Sequence, residues 1–301
     1  MRRIDCHVHI FEVLKGFNGK GEMRPIGGGL ARWADGEVVR MLPPELGGKA
    51  FAVDTCYQLL KRNGVEKAVL LQGSFYGFHN EYVAEAVKKY PDMFIGAGTF
   101  DPFGKYADRV YDRLTNELGM KAMKFETSTG CGFMSYHRDF DIAEVFGKVA
   151  KKAAENGQTL VLDVGSPGMS SFQPEAIRKL AQENPELRIV VCHLLAPTLR
   201  DEEALKKSLE LLRFDNVYFD ISAVPFNVQP EIYPYPTGIR YIREACGIVG
   251  YDKLLWGTDI PSVLCSDSYR HLADYFTRTG EFTEEELQAI SYGNAGKAYS
   301  F

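Results

Sequence analysis

Ile4-Asp5-Cys6-His7-Val8-His9 opens the chain as a short apolar run that ends in two histidines two residues apart. On an extended backbone, residues i and i+2 point to the same side, so His7 and His9 project together from the end of a first strand. Two neutral imidazoles side by side make half of a tetrahedral or five-coordinate metal site. The same pattern, a short apolar strand closing on polar side chains, then recurs. It returns at 67–72 (KAVLLQ), 94–99 (FIGAGT), 121–126 (KAMKFE), 159–164 (TLVLDV), 188–193 (RIVVCH), 216–221 (NVYFDI) and 253–258 (KLLWGT).

Helical stretches separate these strands, at 55–63, 80–90, 106–118, 141–156, 174–184, 201–213 and 237–246. One or two more finish the chain, at 267–280 and 284–291. Asp54 and Asp201 are the expected N-caps of the first and sixth, and Gly64, Gly119 and Gly157 fall where C-terminal glycines belong. Near-continuous apolar strands alternating with helices mean parallel strands buried on both faces. Eight of them in 301 residues favour a closed (β/α)8 barrel over an open sheet. No linker or composition break divides residues 1–301, so one barrel domain is expected. Residues 11–52 interrupt the rhythm after the first strand with a glycine-rich stretch, read here as a cap over the site. Within it, 30–42 suits a hairpin turning at Asp35-Gly36.

Composition narrows the function classes. Hydrophobic residues at 45% and charged residues at 25% are those of a globular protein with a full core. A net charge of −5 without a recurring Lys/Arg cluster argues against a nucleic-acid partner. No run of eighteen apolar residues is present to span a membrane, and no signal-peptide apolar region precedes the first strand. The six cysteines are scattered and include no CxxC pair. A reduced, cytoplasmic protein without disulfides is the expectation.

In a barrel of this kind, chemistry sits at the C-terminal ends of the strands. His7 and His9 end the first strand, Gln72 the second, and Lys124 with Glu126 the fourth. Asp163 ends the fifth, His193 the sixth, Asp220 the seventh, and Asp259 follows the eighth. So many ionisable groups at strand ends cannot all be core residues, because each needs a partner or an ion. A polar ring around a metal removes that difficulty.

Four stretches together resemble the amidohydrolase superfamily: Asp5-Cys6-His7-Val8-His9, Val190-Val191-Cys192-His193, Leu255-Trp256-Gly257-Thr258-Asp259-Ile260-Pro261 and Tyr292-Gly293-Asn294-Ala295. The branch they resemble is the amidohydrolase-related group that includes aminocarboxymuconate-semialdehyde decarboxylase. The resemblance implies one divalent metal, zinc in most members, with His7, His9 and Asp259 among its ligands. It implies that His193 polarises substrate or moves a proton and that Asp259 also serves as general base toward an activated water. The family's fifth strand carries a histidine ligand where this chain has Leu162-Asp163-Val164. Asp163 either replaces that ligand and shifts preference toward manganese, or leaves the metal weak or absent, as in a metal-independent lactonase branch.

Other residues have two readings each. Lys124 and Glu126 either contact substrate or a metal, as the family's fourth-strand lysine or glutamate does, or pair internally, Lys124 with Asp163 or Glu126. Asp220 either fixes His193 or caps the next loop. His79 and His137, in loops after the second and fourth strands, are substrate-contact candidates against a background of solvated loop histidines, and His271 receives no role. Arg24, Arg32 and Arg40 in the insertion are either surface residues or forks for a substrate carboxylate. The aromatic, proline-rich loop from Pro225 to Pro236 suits a pocket wall or a homodimer contact.

The expected function is a metal-dependent hydrolase that uses activated water on an amide, ester or lactone of a small, carboxylate-bearing molecule. A non-oxidative decarboxylase of an aromatic or unsaturated acid is the alternative on the same site. A metal-free lactonase or a binding barrel is the third reading.

Overall fold

The computed structural model describes all 301 residues. Twelve strands form two sheets. Eight parallel strands make the barrel: β1 (Ile4–His9), β6 (Lys67–Leu71), β7 (Phe94–Gly98), β8 (Ala122–Glu126), β9 (Thr159–Asp163), β10 (Arg188–Val191), β11 (Val217–Asp220) and β12 (Leu254–Leu255). The other four, β2 (Phe17–Asn18), β3 (Gly21–Gly27), β4 (Leu30–Trp33) and β5 (Val38–Arg40), form an antiparallel sheet inside the insertion. The hairpin expected at 30–42 is its β4–β5 edge.

The eighth strand is shorter than the sequence suggests, because the backbone leaves the ladder after Leu255 and turns at Asp259. The barrel still closes there. Cys6 N–H donates to the Trp256 carbonyl (3.0 Å), Asp259 N–H to that of His7 (2.8 Å) and His9 N–H to that of Ile260 (2.9 Å). Gly257 is required at this seam, since a Cβ would lie 3.0 Å from His7 Cβ and 3.1 Å from His7 N.

An apolar cluster drawn from alternate strand positions, including Ile4, Cys6, Val69, Val161, Val190 and Tyr218, fills the barrel interior. The C-terminal helix Ala295–Ala298 packs into this cluster, and Thr159 Oγ1, on the first residue of β9, donates to its Ala298 carbonyl at 2.6 Å. That helix plugs the N-terminal mouth. Only the C-terminal mouth is left to hold a site. No helix is long and apolar enough to cross a membrane.

Two capping expectations are corrected. Asp54 lies inside the first turn of helix Val53–Arg62 and pairs with Lys89 Nζ and Tyr90 Oη, both at 2.6 Å. Asp201 precedes helix Glu202–Leu211, but its carboxylate is taken by Thr198 N–H (2.8 Å) and Oγ1 (2.6 Å). In both cases a partner across the surface or one turn back competes with the helix's own amides.

Candidate active site

A bulge in β1 aims the first-strand histidines. Between Asp5 and Val8 the strand advances three residues against two on β6, from Ala68 to Leu70. An extra residue of this kind re-aims side chains next to it. The His7 and His9 rings lie 5.1 Å apart, and the His193 ring, from the end of β10, lies 4.6 Å from His7.

Asp259 completes the group. Its Oδ1 accepts a hydrogen bond from His9 Nε2 (3.1 Å) and faces His7 Nε2 at 3.5 Å. His7 Nε2 is buried and has no hydrogen-bond partner, while His7 Nδ1 donates to Asp220 Oδ2 at 3.1 Å. A histidine whose one nitrogen is pinned by a carboxylate and whose other points at an open position is arranged as a metal ligand. His7, His9 and Asp259 offer one donor atom each within 4.8 Å of one another.

The electrostatics agree with this. Burial works against charge on His7, but Asp220 and Asp259 outweigh it and raise the imidazole above its ordinary value. Burial pulls His9 down to about 4, so it is neutral near pH 7. Burial also opposes charge on Asp259, yet the His9 hydrogen bond and the His7 and His193 charges hold its carboxyl at about 2. The space between His7 and Asp259 therefore favours positive charge. His7, Cys192 and His193 form a second close group, but burial first and the Asp220 charge next push the Cys192 thiol well above its usual range. A thiol held protonated is a poor ligand.

Asp220 works further than expected. Its Oδ1 accepts the backbone N–H of His193 (3.0 Å) and that of Ser222 (3.1 Å), and the Ser222 hydroxyl as well. Ser222 Oγ in turn bonds His193 Nδ1 at 2.9 Å, which leaves His193 Nε2 toward the cavity. Asp220 thus fixes the ring of His7 directly and that of His193 through Ser222.

The backbone is strained at this point. His193, Leu194, Leu195 and Ala196 all have φ between 45° and 67°, and Asp259 has φ 68°. Left-handed conformations cost non-glycine residues of order 1–3 kcal/mol each and persist where the surrounding structure imposes them. Both catalytic candidates carry this strain.

Asp163 stands apart from the triad. It faces His193 Nε2 at 3.9 Å and accepts the Gly165 N–H at 3.0 Å. Lys124 pairs with Glu126 Oε1 at 2.7 Å, so of the two internal partners weighed, Glu126 is the one it meets. Burial opposes the Lys124 charge, but the Glu126 carboxylate outweighs it and raises the ammonium above its ordinary value. Glu126 Oε2 also accepts the Phe75 N–H (3.1 Å), and Gly73 makes room, since a Cβ there would lie 2.0 Å from the Glu126 side chain.

His7, His9, Lys124, Glu126, Asp163, His193 and Asp259 line one cavity of about 650 Å³ at the C-terminal mouth, within the range of small-molecule sites. The insertion contributes Val39, Arg40 and Met41 to its wall. Of the three arginines weighed, only Arg40 reaches the cavity, and Arg24 turns outward to Glu22. Phe226 and Asn227 from the loop after β11 form part of the opposite wall.

His79 and His137 do not line the cavity. His79 is buried, with its Nε2 on the Tyr76 carbonyl (3.3 Å), and burial lowers it to about 4. His137 bonds Asp101 at 2.8 Å and packs among Phe103, Phe133 and Tyr136. Three site residues escaped the sequence reading. Asp5 is buried and accepts from Thr258 N–H (2.9 Å), Thr258 Oγ1 (2.7 Å) and Tyr269 Oη (2.9 Å), which ties β1 to the loop bearing Asp259. Ser222 lies two residues beyond Asp220, a spacing that could have flagged it. Tyr76, packed 4.8 Å from the His9 ring, had no signal at all.

A (β/α)8 barrel with a histidine–carboxylate site at its C-terminal mouth defines an enzyme class. A family profile described as amidohydrolase matches residues 4–301, and the chain belongs to that family. Among solved structures, it is similar to a probable 2-pyrone-4,6-dicarboxylic acid hydrolase from Acinetobacter baumannii with citric acid bound, at 17% identity, 100% of each chain and a TM-score of 0.70. An amidohydrolase from Burkholderia multivorans with bound zinc aligns at 14% identity over 100% of each chain, TM-score 0.72. The 5-carboxyvanillate decarboxylase of Sphingomonas paucimobilis aligns at 16% identity over 81% of this chain and 82% of its own, TM-score 0.58. Compared with curated proteins, the sequence gives no significant match.

Proposed function

We propose that the protein is a metal-dependent hydrolase acting on an ester, lactone or amide of a small, carboxylate-bearing molecule. The observation that carries this reading is the orphaned His7 Nε2. It is buried, has its other nitrogen fixed by Asp220, and faces the carboxylate that His9 also faces. These residues fit a divalent ion, with His7, His9 and Asp259 as its protein ligands, and zinc ahead of manganese for an imidazole-rich set. Such an ion supplies Lewis acidity and acidifies water toward neutral pH.

The chain's own groups do the rest. With its Nδ1–H on Ser222 Oγ, His193 presents Nε2 to the cavity, where its imidazolium form donates a proton to the substrate oxygen that gains charge. Asp259 accepts the proton of the attacking water. Arg40 stands at the mouth with Nη1 on the Gly28 (3.0 Å) and Leu42 (3.3 Å) carbonyls, and its remaining N–H groups are free to take a substrate carboxylate bidentately. Lys124 holds Glu126 in place and has two further N–H groups for an anionic group deep in the cavity. Asp163, 3.9 Å from His193 Nε2, faces that histidine rather than ligating.

Non-oxidative decarboxylation on the same residues is the second reading. The buried Lys124 favours it, because an ammonium in that position stabilises the charge left when carbon dioxide departs. The test is to offer the zinc-loaded protein 2-pyrone-4,6-dicarboxylate and 5-carboxyvanillate, following loss of the pyrone absorbance and release of carbon dioxide. Ring opening or other water-dependent cleavage supports the hydrolase. Release of carbon dioxide moves the protein to the lyases. Turnover that is unchanged after metal removal overturns the metal-dependent reading and leaves a metal-free lactonase.

A further inference from the structure

Phe226, Val263 and Ser266, which line the catalytic cavity, also border a second space that adjoins it, a cavity of about 640 Å³. The segment 225–235 after β11 forms one flank of this outer chamber, and residues from 263 to 272 form the other.

The two chambers differ in chemistry. The inner one holds the histidine–aspartate group, Lys124 and Arg40. The outer one contains no lysine or arginine, and its ionisable groups are Glu231, Asp267, His271 and two tyrosines. Its acids are already engaged. Glu231 accepts Thr237 N–H (3.0 Å) and Oγ1 (2.6 Å), and Asp267 Oδ1 meets His271 Nδ1 (2.5 Å) and Ser268 N–H (2.6 Å).

What the chamber presents is flat and apolar. Tyr233 stacks on His271 with centroids 4.2 Å apart and planes at 23°, so its ring is already fixed. Phe226 on the shared wall is 50% exposed, and Ile232 on the rim is 81% exposed. Tyr235 is buried edge-on against Tyr275 (5.9 Å) and anchors the flank from below. A preformed aromatic chamber costs little ordering on binding and offers offset or edge contacts to a ring. With two carboxylates and no lysine or arginine it favours an uncharged group over an anion.

We propose that the outer chamber is a subsite for an uncharged aromatic arm of the substrate, borne by the molecule whose carboxylate-bearing reactive end enters the inner cavity. The proposal rests on the reading of the inner cavity given above. It narrows the substrate class to acids that carry an apolar ring, and it assigns Tyr233, Phe226 and Ile232 to selection of that ring.

Benzoate and biphenyl-4-carboxylate differ by one phenyl ring, and biphenyl-4,4′-dicarboxylate adds a charge to it. Calorimetric titration of the full-length, zinc-loaded protein with these three reads the chamber directly. Biphenyl-4-carboxylate is expected to bind roughly tenfold or more tightly than benzoate, the scale of burying one phenyl group. The 4,4′-dicarboxylate is expected to lose that gain. Tyr233→Ala collapses the affinity ratio toward one, and Tyr233→Phe restores it. Should Tyr233→Ala fail to fold, Ile232→Asp on the exposed rim gives the same ratio test.

Equal affinities in the parent overturn the proposal, and so does a ratio that survives both Tyr233→Ala and Ile232→Asp. A dimer in sedimentation that Ile232→Asp dissociates also overturns it, by giving this face to a second copy. Failure of benzoate alone to bind at millimolar concentration sinks the carboxylate reading of the inner cavity; Tyr233-dependent binding of the biphenyl acid then keeps the aromatic chamber. If none of the three binds, both readings fall.

Discussion

Asp220 touches no solvent and serves two histidines at once, His7 through its ring and His193 through its backbone N–H and Ser222. Replacing it with Asn keeps the shape but lets the amide present a donor where His7 Nδ1–H needs an acceptor. Asp220→Asn is expected to weaken zinc binding roughly 10–100-fold, the usual effect of losing a ligand's orienting carboxylate, as read by competition with a chromophoric chelator. The triad itself makes a sharper prediction. His9→Ala is expected to lose the metal in mass spectrometry of protein purified without chelator, whereas Asp163→Ala retains about one equivalent, because Asp163 faces His193 outside the triad. Loss of metal in Asp163→Ala makes that carboxylate a ligand after all. His7, His9, His193 and Asp259 were legible because each is a polar residue at the end of an apolar strand, a pattern local to a few residues. Asp5 was quoted within the same motif and given no role, because its partners Thr258 and Tyr269 lie 253 and 264 residues away. A lone strand does not reveal a contact that only barrel closure creates.

At the scale of elements, the strand–helix alternation was readable almost throughout, since apolar runs and glycine stops carry it. Helix starts were read less well. Asp54 and Asp201 look like caps by position, yet Lys89 and Thr198 take their carboxylates. A true capping box sits at Thr283, whose side chain accepts Glu286 N–H while Glu286 accepts Thr283 N–H at 2.8 Å. Arg243 forks onto the same Glu286 at 2.6 and 2.9 Å, and that bond, ahead of the cap, holds the carboxyl at about 2 against 4.5 in a free chain. A carboxyl lowered on folding stabilises above its unfolded pKa and loses that contribution as pH falls through the folded one. Thermal melts of the parent and Glu286→Gln are therefore expected to differ most above pH 5 and to converge between pH 4.5 and 2. Thr283→Ala is expected to cost about 1 kcal/mol of stability at neutral pH. The insertion was only half legible. Its glycines predicted irregularity and its Asp-Gly turn a hairpin, but a four-stranded sheet needs the pairing of Arg24 with Arg32 and of Leu30 with Arg40. That pairing is set by packing of Met23, Trp33 and Leu42 against the barrel, which no local pattern encodes.

For the whole molecule, the proposed metal site links occupancy to stability. An ion bound to the folded barrel and not to the open chain stabilises it by about 2.7 kcal/mol at a free concentration a hundredfold above its Kd. Chelation is accordingly expected to lower the melting temperature by several degrees, and zinc to restore it in the parent but not in His9→Ala. An unchanged melt on chelation argues that the folded state gains nothing from an ion.

The seam where β1 meets the segment after β12 also has a consequence for how the protein is made. His9 and Asp259 are 250 residues apart in the chain, and each is held by the other's strand. During synthesis the two histidines emerge before the aspartate, by roughly 10–50 s at ordinary elongation rates. If His7, His9 and Asp259 ligate as proposed, no nascent chain holds all three donors before then, and a shorter fragment is expected to bind an ion more weakly. On the proposed ligand set, loading with metal therefore waits until the segment after β12 has been made and has closed on β1.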